Sequence, residues 1–333
     1  MMRWGDGMEF LKKWFVPILL SICLLAVLLD SKTPTKVFEG DSSHETIVVS
    51  NTTESTAGQE LVVSVLMKDG TVNEMPIEAY ILSVVLREMP ADFEMEALKA
   101  QAVVARTYTF RRMHIKQRHK NAHVCTMSSC CQGYWDPSDY LQSGGTEERI
   151  DKVRQAVMET AGTILVYNGK PIEATYFSCS GGYTEDAVAV WGSNVPYLKA
   201  TQSPGEERAG HYTDTVKFSV DAIVRKLGIS LNNLHDFRIG KITYTDGGGV
   251  DSIEICKKTF SGTQVRSLLD LKSTAFVISV AGSTVTITTK GFGHRVGMSQ
   301  YGADAMALTG SDYQQILLHY YHGVDLLSIG AFY

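Results

Sequence analysis

Between residues 77 and 88, Ile77, Ile81, Val84 and Val85 recur at helical spacing and form one apolar stripe. Counting back from position 88 by three, four, seven and eleven lands on those four residues, so Glu88 lies on the stripe. Pro90 ends the helix immediately afterwards. Upstream, 60–67 reads as a strand with a turn at 68–70. A second helix is expected over 94–118, where Ala97, Ala100, Ala102 and Ala105 allow close packing. Another helix is expected over 147–160, then a strand at 163–167, a turn at Asn168-Gly169 and a strand at 172–177. That last strand enters the small-residue loop Ser178-Cys-Ser-Gly-Gly182. Residues 203–289 read as an inserted smaller α+β subdomain with few candidate catalytic groups. It has a helix at 219–227 and strands near 238–244, 251–256 and 275–288. Two helices, 303–308 and 313–321, close the chain. Helices and strands mix without regular βαβ alternation, so the fold class is α+β.

The N-terminus departs from this pattern. Residues 14–29 carry no charge, Arg3, Lys12 and Lys13 precede them, and no further Lys or Arg comes before Lys32. The bias places residues 1–13 in the cytoplasm, a transmembrane anchor at 14–29 and the rest outside the membrane. The run is short for a span. It ends Ala26-Val-Leu-Leu-Asp30 without a small-x-small cleavage pattern, which favours an uncleaved anchor over a signal peptide. Residues 30–58, rich in Ser, Thr and Glu, read as a flexible stalk. The extracytoplasmic folded part is then 59–333. A net charge of -5 and a pI near 6.0 argue against nucleic acid as a partner.

Glu88 has two readings. Desolvation and the negative end of its own helix raise the pKa of a carboxyl there, and a carboxyl kept protonated is suited to general-acid chemistry. The other reading is a buried structural glutamate paired with Arg87, Arg106 or Arg111. Gln101 and Tyr108 share a face of the second helix, and Gln101 is either a satisfied core polar group or a ligand contact. The stretch 291–302 holds His294, Ser299, Gln300 and Tyr301 among glycines, without the lysine of a phosphate loop. It suits close approach to an extended neutral ligand, or else the glycines merely make turns. Ser178, Ser180, Gly181 and Gly182 share that character, and Trp191 and Tyr197 add aromatic surface. Small polar groups beside aromatic faces suit a sugar-binding groove, and they also occur in ordinary cores.

His119, Cys125, Cys130 and Cys131 supply one nitrogen and three sulfur donors within thirteen residues, enough for a closed tetrahedral zinc site. His123 is a competing ligand and a disulfide a competing fate. With four protein ligands no position stays open for a metal-bound water, so the site is expected to pin a loop.

Five segments together are similar to the motifs of the stage II sporulation protein D family, which joins sporulation lytic transglycosylases and amidase enhancers. They are Leu86-Arg-Glu-Met-Pro90, Ala97-Leu-Lys-Ala-Gln-Ala-Val-Val-Ala-Arg-Thr-Tyr108, Ser178-Cys-Ser-Gly-Gly-Tyr-Thr-Glu185, Gly293-His-Arg-Val-Gly-Met-Ser-Gln-Tyr-Gly-Ala303 and His319-Tyr-Tyr-His-Gly323. The resemblance spans about 60–325. It implies cleavage of peptide-free peptidoglycan glycan strands to 1,6-anhydro products during forespore engulfment, with Glu88 as the catalytic glutamate. Gln101, Arg106, Tyr108 and the groups just named around 178–197 and 294–301 are the candidate substrate-binding residues. Metal-binding members use two His and two Cys, which fall on His119, Cys125, position 130 and Cys131, and position 130 here is cysteine. Companion proteins implied are stage II sporulation proteins M and P, a multi-pass membrane protein and an amidase/endopeptidase. Two rivals follow: a non-catalytic peptidoglycan-binding amidase enhancer, and a metal-dependent amidase using the 119–131 cluster.

Overall fold

The computed structural model describes residues 60–333, so the expected cytoplasmic segment, anchor and stalk lie outside the described residues. Within them no helix is long and apolar enough to cross a membrane. Helices and short two- and three-stranded sheets mix in an α+β arrangement.

Two helices build the centre of the main core. The first, α1 (Ile77–Glu88), buries Ile77, Tyr80, Ile81, Val84 and Val85. Its last N–H bond runs from Met89 to the Val85 carbonyl, and Met89 is already extended, as a residue before proline must be. The second, α2 (Met95–Met113), is buried on every side, including Ala97, Leu98, Ala100 and all residues from Gln101 to Phe110. A helix without a wet face belongs in the middle of a domain. Alanines at 97, 100, 102 and 105 let its neighbours come close, and all four are fully buried.

The expected helix 94–118 stops five residues early. Beyond Met113 the sequence His114-Ile-Lys-Gln-Arg118 has no apolar stripe to bury, and His114 Nδ1 turns back to the Phe110 carbonyl at 2.8 Å. The expected strand 172–177 shrinks to Tyr176–Phe177, which pairs in parallel with Met298–Ser299. This short pairing brings the small-residue loop and the glycine-rich stretch side by side.

A second hydrophobic cluster gathers Val220, Ile223, Ile253, Ile255, Val265, Val285 and Ile287. It lies between two three-stranded antiparallel sheets, one of 239–244, 250–255 and 258–261, the other of 213–219, 276–281 and 284–290. The expected single strand 275–288 is a hairpin, Phe276–Ala281 and Thr284–Lys290, turning at Gly282 with φ 58°. Strand Thr213–Ser219 and helix Gly262–Leu269 carry no sequence expectation above. Val216 and Phe218 alternate with polar residues in the strand, a pattern too short to stand out.

A candidate active-site groove around Glu88

Glu88 closes α1 and faces a groove. One hollow of ≈ 550 Å³ is lined by Arg87, Glu88, Tyr108, Gln132, Thr175, Tyr176, Ser178, His294 and Gln300, among others. A second, of ≈ 310 Å³, shares Arg87, Glu88, Ser178 and Gln300, and adds His211, Trp135 and Tyr301. Glu88 therefore stands where two stretches of one groove meet. No other carboxylate lines either stretch among the described residues.

Burial pushes the Glu88 carboxyl above its ordinary value, and two weaker effects oppose it: the Gly133 N–H donated to Oε1, and the positive charge of Arg87. The ion-paired alternative is not what the structure contains. Arg106 pairs with Glu78, Arg111 with Glu173, and the Arg87 guanidinium lies 4.6 Å over the Trp135 ring. Gly133 is required by closeness. A Cβ there would come within 2.7 Å of Arg87 Cγ and of Glu88 Oε1.

Around the carboxyl, the Gln300 amide donates to the Glu88 backbone carbonyl at 2.9 Å and to Gln101 Oε1 at 3.3 Å. Gln101 is thus a buried support behind Gln300. The Tyr176 hydroxyl accepts from Gln132 Nε2 at 3.3 Å, and burial with the nearby Glu88 charge holds its pKa well above the usual phenol range. Burial and Arg266 push His294 down to about 4, so a neutral imidazole faces the groove at neutral pH. Ser178 Oγ and His211 Nε2 lie 2.8 Å apart, and His211 is held below its ordinary value by burial.

Several expected substrate contacts lie elsewhere. Arg106 is fully buried, with its guanidinium donating to Glu78, Val157 O and Thr163 O, so it ties α2 to its neighbours. Ser180, Gly181, Gly182 and Ser299 turn towards Glu206. That buried carboxylate accepts from the N–H groups of Ser180, Gly181 and Gly182 and from the hydroxyls of Ser180, Ser203 and Ser299. Gly181 and Gly182, at φ 79° and 112°, adopt the left-handed backbone that aims these N–H groups inward. The Tyr197 hydroxyl accepts from the Glu173 N–H at 2.9 Å, away from the groove. Trp191 is exposed, 5.4 Å from the His294 ring, and lines neither stretch. Tyr108, Ser178, His294, Gln300 and Tyr301 do line the groove.

Glu206 and His211 come from the region expected to hold few candidate catalytic groups, and Gly133 had no motif to mark it. Their roles arise from contacts across 26, 33 and 45 residues of sequence.

The donor atoms of His119, Cys125, Cys130 and Cys131 all lie within 4.8 Å of one another. His119 Nε2 is 3.4 Å from Cys131 Sγ and 3.7 Å from Cys130 Sγ. Tetrahedral zinc with ordinary Zn–N and Zn–S bonds sets an N···S edge of about 3.6 Å, so the set fits that ion. His123 is turned away, its Nδ1 bonded to the Ser64 N–H and 2.9 Å from the Ser64 hydroxyl. The cysteines are free thiols, and burial pushes Cys125 up to about 12. Cys131 also lines the groove, two residues before Gly133.

Fold and site together define an α+β protein whose groove presents one desolvated carboxyl beside a His/Cys cluster. A family model described as "Stage II sporulation protein" matches residues 67–167. Stage II sporulation protein D of Bacillus amyloliquefaciens is 41% identical over 267 residues, covering 79% of this chain and 77% of the relative. The same-named protein of Bacillus subtilis (strain 168) is 40% identical over 267 residues, with the same coverage. An amidase enhancer of Bacillus subtilis (strain 168) is 30% identical over 299 residues, 74% of this chain and 40% of that protein. The chain belongs to the stage II sporulation protein D family, and that family serves sporulation.

Proposed function

We propose that this protein is a membrane-anchored lytic transglycosylase that cuts peptide-free peptidoglycan glycan strands between N-acetylmuramic acid and N-acetylglucosamine during forespore engulfment. The observation that carries the reading is the solitary, desolvated Glu88 in a groove open on both sides of it. Most glycoside hydrolases, whether they use water directly or a covalent intermediate, work with two carboxylates at a set separation. Here the nearest acids in sequence do not face the groove: Asp92 is exposed and bound to Arg149, and Glu94 lies at the start of α2.

A single carboxyl suffices for a transglycosylase. Protonated Glu88 donates to the glycosidic oxygen as the C1–O bond breaks, and an oxocarbenium-like transition state develops. The resulting carboxylate takes the proton of the sugar's own C6 hydroxyl, whose oxygen closes on C1 as a 1,6-anhydro bridge. Glu88 returns protonated, and no water is consumed. Gln300, Ser178 and neutral His294 offer uncharged hydrogen-bonding groups to the sugars. His119, Cys125, Cys130 and Cys131 would hold a zinc ion with no open position, which supplies rigidity and no step. That closed set also argues against a metal-dependent amidase. The anchor at 14–29, the extracytoplasmic placement and association with stage II sporulation proteins M and P belong to the same proposal.

A second reading, the non-catalytic amidase enhancer, is favoured by the relative of that name. One experiment separates the two. The full chain in detergent is incubated with peptide-free strands and the products are weighed by mass spectrometry. Anhydro-terminated fragments support the transglycosylase, reducing-end products mean hydrolysis, and intact strands favour the enhancer.

A further inference from the structure

Arg87 is the one Arg or Lys among the described residues lining either stretch of the groove, as Glu88 is the one acid. Neighbouring arginines are committed to carboxylates, Arg106 to Glu78 and Arg149 to Asp92, whereas Arg87 has none within ion-pair distance among the described residues. Its exposed guanidinium is held 4.6 Å over the Trp135 ring. Such stacking fixes the plane of the group and leaves its N–H edge free for a planar anion. The position also works against the neighbouring acid, because the positive charge of Arg87 favours ionised Glu88. An anion bound at Arg87 would offset that effect on Glu88.

Resting on the glycan-cleavage reading above, we propose that Arg87 recognises the free lactyl carboxylate of peptide-free N-acetylmuramic acid, and so selects strands whose stem peptides are gone. In an intact strand the same carboxyl is tied up as an amide, which offers no negative charge and brings a bulky peptide. The acidic sugar supplies the anion that Arg87 lacks, and bidentate guanidinium–carboxylate pairing gives the preference. The group is exposed, so the preference is modest and falls with salt.

The test uses the full chain in detergent and two preparations of peptide-free strands. One keeps its lactyl carboxyls free, and the other has them converted to methylamides with carbodiimide and methylamine. Wild-type kcat/KM is expected to favour the free acid by about three- to tenfold at low salt. Arg87→Gln should bring that ratio close to one, and Arg87→Lys should leave it in between. Binding of both strands to Glu88→Gln, and to Glu88→Gln combined with Arg87→Gln, is measured in parallel by calorimetry. If neither strand is cut, the transglycosylase reading fails while the binding ratio still decides the role of Arg87. Equal affinity for the two strands, or a preference that survives Arg87→Gln, overturns the proposal.

Discussion

The Gly133 backbone N–H donates to the Glu88 carboxylate, and the glycine lies so close that no side chain fits between them. This contact joins the end of α1 to the loop that follows the cysteine cluster. A methyl group at 133 would meet Glu88 Oε1 and Arg87 Cγ at 2.7 Å, so one side must yield. Gly133→Ala is expected to lower glycan cleavage on the order of 100-fold, because displacing a catalytic group by about 1 Å costs that much. Circular dichroism should report an unchanged fold. Retained activity would mean that the groove tolerates a different carboxyl position.

Glu88→Gln keeps an oxygen that can accept from Gly133 and removes the proton. Loss of a lone acid/base costs about 100- to 10,000-fold in rate. Anhydro products in single-turnover assays would fall accordingly, while binding of strands persists.

The same carboxyl makes a stability prediction. Burial raises its folded pKa, so the native state holds the proton more tightly than the unfolded chain does. That contribution is fully present below the ordinary carboxylate value and is lost as pH rises through the raised folded value. Glu88→Gln should therefore have a higher Tm than wild type near pH 8, with the gap closing near pH 4. Catalysis by wild type should fall over the same rise in pH as the acid ionises. A Tm difference independent of pH would show that Glu88 is not desolvated in the folded chain.

Glu88 was legible in the sequence because its oddity is local: one helix period places a carboxylate among Ile77, Ile81, Val84 and Val85. The His/Cys cluster was legible for the same reason, since its donors lie within thirteen residues. Arg106 misled because a motif gives position along a helix and not the partner across it. Only the fold reveals Glu78 opposite Arg106 at 2.6 Å. Ser180 and Ser299 misled likewise, because their common partner Glu206 comes from a separate segment. The helices Ile77–Glu88 and Glu147–Glu159 followed their periodicity, whereas Tyr176–Phe177 and Met298–Ser299 are too short to carry one.

Metal analysis of the purified chain should find about one zinc per molecule, held by His119, Cys125, Cys130 and Cys131. If zinc pins the loop that carries Gly133, chelation or Cys131→Ser should lower Tm and slow cleavage together, because Cys131 stands two residues before the Gly133 contact to Glu88. Full activity in a zinc-free, folded sample would separate the cluster from the groove.

Glu206 offers the sharpest test of how the groove wall is held. Its two oxygens accept from backbone N–H groups, which cannot turn round, and from hydroxyls, which can. In Glu206→Gln the new NH2 group can take the side of Ser203 and Ser299, whose hydroxyls rotate to accept from it. The remaining oxygen still serves Gly181 and Gly182, so the cost should be about 1–2 kcal/mol. Glu206→Ala leaves the Ser180 and Gly181 N–H groups without their acceptor and should cost about 3–5 kcal/mol. Urea unfolding of the two variants checks the order. Equal losses would mean that the charge of Glu206, and not its accepting geometry, holds the loop beside Ser178.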